Sequence, residues 1–155
     1  MKKVLITLIL AAITLIGYAQ TDSNDAYDML YKKGNSLFES KEFSKAIAFF
    51  SEAIDTMEEN TDLKLYFIIG RAGCKFQLFD YRGCIADCNK AIKMQDIKSR
   101  IFGFGFIKSE MGNCYAFKGF AEAQLHDMAS ACLDWSKAGE LGYEKAYDLI
   151  KESCR

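Results

Sequence analysis

Apolar residues between positions 26 and 54 recur at steps of three and four in two successive blocks. Tyr27, Leu30, Tyr31, Gly34, Leu37 and Phe38 form the first stripe; Phe43, Ala46, Ile47, Phe49, Phe50, Ala53 and Ile54 form the second. Such a stripe is one face of an amphipathic helix. The stretch therefore predicts two short helices joined by a tight turn at Ser40-Lys41-Glu42. The small residues Gly34 and Ala46 fall where two backbones would pass closest, and Phe50 fills the wider space beyond.

The pattern returns twice. Over residues 65–94, Ala72 takes the place of Gly34, and Cys84, Cys88 and Ala91 stand where Ala46, Phe50 and Ala53 stood. Phe79-Asp80-Tyr81 is the turn, and Asp80 suits the cap of the second helix. Over residues 112–138, Gly119 is the close-contact glycine, His126-Asp127-Met128 the turn, and Ala131, Trp135 and Ala138 complete the second helix. The last small residues of the three blocks, Ala53, Ala91 and Ala138, are 38 and then 47 positions apart. The excess falls in residues 95–110, where Phe102, Phe104 and Phe106 alternate with Gly103 and Gly105. That alternation suits an extended or hairpin-like piece, or the irregular start of a long helix. Gly142 suits a left-handed cap. Beyond it Tyr143, Ala146, Tyr147, Ile150 and Cys154 share one side of a last helix.

The series Leu30, Gly34, Leu37, Ala46, Phe50, Ala53 resembles a tetratricopeptide repeat. It departs from that pattern at Lys33, where Leu is common, at Leu37, where Tyr is common, and at Glu58, where Pro often sits. The string Ala131-Cys132-x-Asp134-Trp135-x-Lys137-Ala138 followed by Leu141-Gly142 resembles the closing segment of small exported bacterial proteins of this family. The resemblance covers about residues 26–154. It implies an all-α fold: three helix hairpins in a right-handed solenoid, with repeats at about 27–57, 65–94 and 112–138. A capping helix over 143–154 would hide the open apolar end.

Half of the 155 residues are hydrophobic and 26% are charged, which suits one folded domain rather than a disordered chain. The N-terminus reads separately. Met1-Lys2-Lys3 precedes an apolar run from Val4 to Ile16, and Gly17-Tyr18-Ala19 precedes Gln20. This is the layout of a signal peptide cleaved after Ala19, with a flexible stretch at 20–25. It predicts an exported protein, periplasmic or secreted. The alternative is a retained membrane anchor, although a helical run of that length spans only about 20 Å of a ~30 Å hydrocarbon layer. Formal charge is −1, and −3 once Lys2 and Lys3 are removed, which favours neither nucleic acid nor an anionic membrane as partner.

Candidate chemistry is sparse. His126 lies in a turn with no Ser or Cys beside it. Cys84 and Cys88 lie one helical turn apart, but no CxxC accompanies them and zinc would need two further ligands. They read as small core residues, with a thiol or metal site built from Cys84, Cys88, Cys114 and His126 as the alternative. Gly103-x-Gly105 lacks the strand and spacing of a dinucleotide fingerprint. No catalytic residue, metal or cofactor is expected. The resemblance, together with the reversal at Gly142, favours a disulfide between Cys132 and Cys154; six buried thiols are the alternative.

In the fold implied by the resemblance, the first helix of each hairpin lines a concave groove. The inward positions would be Tyr31, Asn35, Phe38, Tyr66, Ile69, Phe76, Asn113, Phe117 and Phe120. Some family members grip a peptide carboxylate there with Lys and Asn. Asn35 matches one such position, while Tyr31, Tyr66 and Ile69 do not supply the rest. An aromatic, nearly uncharged groove suits an apolar helix or extended segment, unless the N-terminal tail, the Phe-rich insertion or the cap helix covers it. The expected function is a non-enzymatic adaptor or scaffold that binds a protein or peptide. A structural, self-associating module is the other reading.

Overall fold

The computed structural model describes residues 29–57, 62–102 and 108–154, with side chains between 62 and 102 described for 63–96. The proposed leader at 1–19, the stretch at 20–25 and the Gly103–Ile107 part of the Phe/Gly insertion lie outside the described residues. Among the described residues there are seven helices and no strand. They are α1 (residues 29–39), α2 (Phe43–Thr56), α3 (Asp62–Gln77), α4 (Tyr81–Phe102), α5 (Lys108–Gln124), α6 (Met128–Glu140) and α7 (Lys145–Ser153). The fold is all-α: three helix hairpins and a C-terminal capping helix.

The chain divides into two compact units, Met1–Lys33 and Gly34–Arg155. The described part of the first is helical, with Met29 and Tyr31 exposed. In the second, each helix from α2 onward packs on the next, and α3 also packs on α5. The small residues do what their spacing implies. A Cβ at Gly34 would run into the Phe50 ring, and one at Gly119 would lie 2.7 Å from the Trp135 indole. Ala46, Cys84 and Ala131 are fully buried at corresponding places in their hairpins. Phe50 meets Phe67 of the next hairpin, ring centroids 5.5 Å apart, so one side chain seals both its own hairpin and the seam beyond it.

The turns share one hydrogen-bond scheme. Glu42 N–H donates to Leu37 O, Asp80 N–H to Lys75 O, Asp127 N–H to Glu122 O and Tyr143 N–H to Ala138 O, each at 2.9 Å. This is the six-to-one bond of a Schellman cap, and it needs a left-handed residue just before the donor. Those residues are Lys41, Phe79, His126 and Gly142, with φ of 61°, 63°, 66° and 100°. The next helices then start on Asp80, which accepts from Gly83 N–H at 2.9 Å, and Asp127, which accepts from Ser130 N–H at 3.1 Å.

Two boundaries differ from the sequence reading. α3 begins at Asp62 rather than near Leu65, and α4 runs on to Phe102 where a break in register was expected after Met94. Residues 95–102 contain no glycine or proline, so helix propagation continues until Gly103. At the other end, α7 lies against α6 and is covalently tied to it by a disulfide between Cys132 and Cys154, Cα atoms 5.8 Å apart. Closing a loop of 22 residues contributes about 3 kcal/mol in the chain-entropy model.

Candidate partner-binding face

The first helices of the hairpins carry an aromatic row. Phe76 of α3 packs against Phe117 and Phe120 of α5, with ring centroids 6.4 and 6.0 Å apart. Gly73, one turn before Phe76, leaves space into which two rings reach: a Cβ there would lie 3.1 Å from Phe117 and 3.4 Å from Phe38. Rings from α1, α3 and α5 thus converge beside a bare stretch of α3 backbone. Phe120 continues the row to Trp135, edge-on at 5.7 Å. Phe38, Phe76, Phe117 and Phe120 are all half-buried, and Asn35 and Asn113 are exposed.

The other expected inward positions divide. Tyr66 is half-buried. Ile69 is not on an open face: it is only 6% exposed and belongs to the core with Phe67 and Ile68, because three consecutive residues of α3 are enclosed by its neighbours. Tyr31 belongs to the first compact unit and is exposed there.

The basic residues of α3 are committed inside the protein. Arg71 donates from Nε and Nη2 to the two carboxylate oxygens of buried Asp87, at 2.8 and 2.7 Å, and from Nη1 to Ser51 Oγ at 2.9 Å. Lys75 Nζ lies 2.8 Å from the same carboxylate. Lys64 Nζ donates to Met57 O at 3.1 Å. On α5, Lys118 bridges Asp134 at 2.5 Å and Glu122 at 3.0 Å. Burial, and then the hydrogen bond with Asp134, raises the Glu122 carboxyl to about 7. Burial alone would lower the Lys118 ammonium, but its bonds to Asp134 and Glu122 outweigh that and hold it above its usual range. The two networks are one motif used twice, since Arg71 and Lys118, and likewise Asp87 and Asp134, are separated by the same 47 positions as Ala91 and Ala138. Sequence reasoning passed over them and over Gly73, although the repeated charge pair was visible at that offset.

The remaining candidates sit apart. His126 is an exposed turn residue. Cys84 and Cys88 are fully buried. The Cys84 thiol points to Phe117 O at 3.8 Å, and the Cys114 thiol to Cys88 O at 3.7 Å. Among the described residues no group of three His, Cys, Asp or Glu side chains is arranged to hold a metal ion. No described helix is long and apolar enough to cross a membrane.

Comparison with known proteins fits this geometry. No family model matches the chain. The Hsp70/Hsp90 co-chaperone CNS1 of Saccharomyces cerevisiae is 29% identical over 83 residues, 54% of this chain and 21% of that protein. Hsp70-Hsp90 organizing protein 1 of Arabidopsis thaliana is 33% identical over 150 residues, 77% of this chain and 26% of that protein. The chain spans about a quarter or less of the length of these curated relatives. Among solved structures, yeast Cns1 superposes with a TM-score of 0.64 at 23% identity, over 83% of this chain and 39% of that one. The first TPR of Spaghetti (RPAP3), bound to the HSP90 peptide SRMEEVD, does so with 0.64 at 20% identity, over 83% and 90%. The fold is that of a tetratricopeptide-repeat domain.

The same relatives overturn one expectation. They are co-chaperones of a yeast and a plant, not exported bacterial proteins, so the periplasmic or secreted location does not stand. The physical reason is that an apolar run of that length is weakly informative. It suits a buried helix as well as the core of a leader.

Proposed function

We propose that this chain is a polypeptide-binding adaptor that takes an apolar segment of its partner along the aromatic side of α3 and α5. The observation that carries this reading is the half-buried row Phe38, Phe76, Phe117 and Phe120 on the first helices, flanked by the exposed amides of Asn35 and Asn113. Rings half-covered by their own protein are rigid anchors. They offer area to a partner at small entropic cost, and a few of them dominate binding energy. The flanking amides supply the polar rim that sets register. The relatives' names support a protein partner, since they are co-chaperones of Hsp70 and Hsp90. The charge pattern separates this face from one built for an acidic tail. Lys64, Arg71 and Lys75 of α3 are bonded within the protein, and Asn35 alone matches a carboxylate-gripping position.

Fluorescence anisotropy with two labelled peptides tests the reading. One is an amphipathic Leu/Phe-rich peptide with both ends blocked; the other is SRMEEVD with a free carboxylate. The blocked apolar peptide is expected to bind roughly tenfold tighter or better, and Phe76→Ala to weaken it by about tenfold. Preference for the acidic peptide, or binding of neither, contradicts the assignment.

A further inference from the structure

The six cysteines are of two kinds. Cys74, Cys84, Cys88 and Cys114 are free thiols enclosed in the core. Burial pushes Cys74 up to about 12. Cys84 is held well above the ordinary thiol range by a hydrogen bond with the Cys88 thiol and then by burial, and Cys88 chiefly by a hydrogen bond with the Cys114 thiol. Thiol–disulfide exchange needs access to sulfur, and all four, enclosed in the core, are out of a reagent's reach. Cys132 and Cys154 differ. Both are only half-buried, and they are joined across the α6–α7 seam.

That seam is weak apart from the bond. α7 has nine residues, fewer than a helix needs to persist alone in water. Its N-cap residue Glu144 makes no side-chain cap bond, and Ala146 is its one fully buried side chain. Leu149, Ile150 and Tyr143 are half-buried against Ala116, Ala131, Trp135 and Ala138. The Tyr147 ring reaches Gly139, where a Cβ would lie 3.1 Å from it, but that side chain is otherwise exposed. The covered face belongs to α5 and α6. By the 47-residue offset it corresponds to the Cys88–Ala91 face of α4, over which the next hairpin stacks. α7 therefore stands where a further repeat would begin, held there by a small apolar contact and one covalent bond.

We propose that the Cys132–Cys154 disulfide is a reducible latch, whose opening by a dithiol frees α7 and uncovers the Trp135 face of α5 and α6. One thiolate of the dithiol attacks a protein sulfur, forming a mixed disulfide and releasing the other protein cysteine as a thiolate that takes up a proton. The second thiol of the reagent then displaces the remaining protein sulfur. Two protein thiols form, and the dithiol leaves as its own disulfide.

Hydrogen exchange on the full chain, with and without dithiothreitol, tests this. Amides of α7 are expected to exchange roughly 10- to 100-fold faster on reduction, while those of α2 to α4 change less than about twofold. The emission of Trp135, the single tryptophan and 3% exposed, is expected to shift to the red. A double Cys132→Ala, Cys154→Ala variant is expected to show the open pattern without reductant and to ignore dithiothreitol. Unchanged exchange in α7 overturns the latch. So does an equal acceleration of all helices, which would make the bond a staple for the whole domain. So does a selective response to dithiothreitol in the double variant.

Discussion

Among the described residues, four hold the left-handed position that closes a helix, and only one of those is glycine. Lys41, Phe79 and His126 each carry a Cβ that crowds the following carbonyl, a cost of about 1–2 kcal/mol. His126 is exposed, so its replacement isolates that cost. His126→Gly is expected to raise stability by roughly 0.5–1 kcal/mol, after the larger chain entropy of glycine in the unfolded state is deducted. The midpoint of urea unfolding reads this directly; a lower midpoint would contradict it. Glu122 gives the pH response. Its carboxyl titrates near 7 in the folded chain against an ordinary value of 4.5. Folding therefore favours its protonated form, and that contribution is complete below about pH 4.5 and is lost as the pH rises through 7. The melting temperature of the wild type, relative to Glu122→Gln, is expected to fall between pH 5 and pH 8. The drop should be about 2–4 °C, on the order of 1 kcal/mol for a domain of this size. A flat difference would place no titration at Glu122. At this scale the sequence was legible where one residue type serves one need. Gly34, Gly119 and Gly142 were readable from spacing alone. Gly73 was not, because its role depends on rings that arrive from two other helices.

At the scale of elements, periodicity located both helices of every hairpin and the turn inside each, since these described turns repeat one cap with one set of bonds. The end of α4 was harder to read. Phe102, Phe104 and Phe106 alternate as a strand would, yet Ile101 and Phe102 close a helix of 22 residues. Helix propagation continued where the period of two had only just begun. Hydrophobic patterning also hid what joins the hairpins on their polar side. The carboxylate of Asp87 takes three bonds from Arg71 and Lys75, and through Arg71 it links α4 to Ser51 of α2. Asp87→Ala would leave two cations in a half-buried seam without their counter-ion. A loss of about 2–4 kcal/mol is expected, measured by chemical denaturation. The double variant Asp87→Ala, Arg71→Met should recover part of it, because an apolar side chain can occupy that volume without the desolvation penalty. No recovery would mean that the network acts through packing alone.

At the scale of the molecule, stacking gives each hairpin what it lacks by itself. A single hairpin cannot hide its apolar face, and α3, enclosed with Leu65, Phe67 and Ile68 buried, shows the neighbours hiding it instead. The all-α fold and the closing helix were legible because the same short pattern occurs three times, and three matches leave little room for another architecture. Location was not legible. The export reading rested on Met1-Lys2-Lys3, the apolar run from Val4 to Ile16 and the small residues before Gln20, and an apolar run of that length fits more than one fate. The candidate face is intermediate: repeat position points to Phe76, Phe117 and Phe120, which are half-buried, but it could not tell Ile69 from a core residue. The central claim is that the aromatic side of the first helices receives a partner segment. Its most direct test is a map of backbone amide shifts by NMR as the blocked apolar peptide is titrated into the protein. The expected shifts concentrate at Asn35, Phe76, Asn113 and Phe117. Shifts confined to the exposed turns at Phe79 and Leu125, or no saturable shift at all, would contradict the claim.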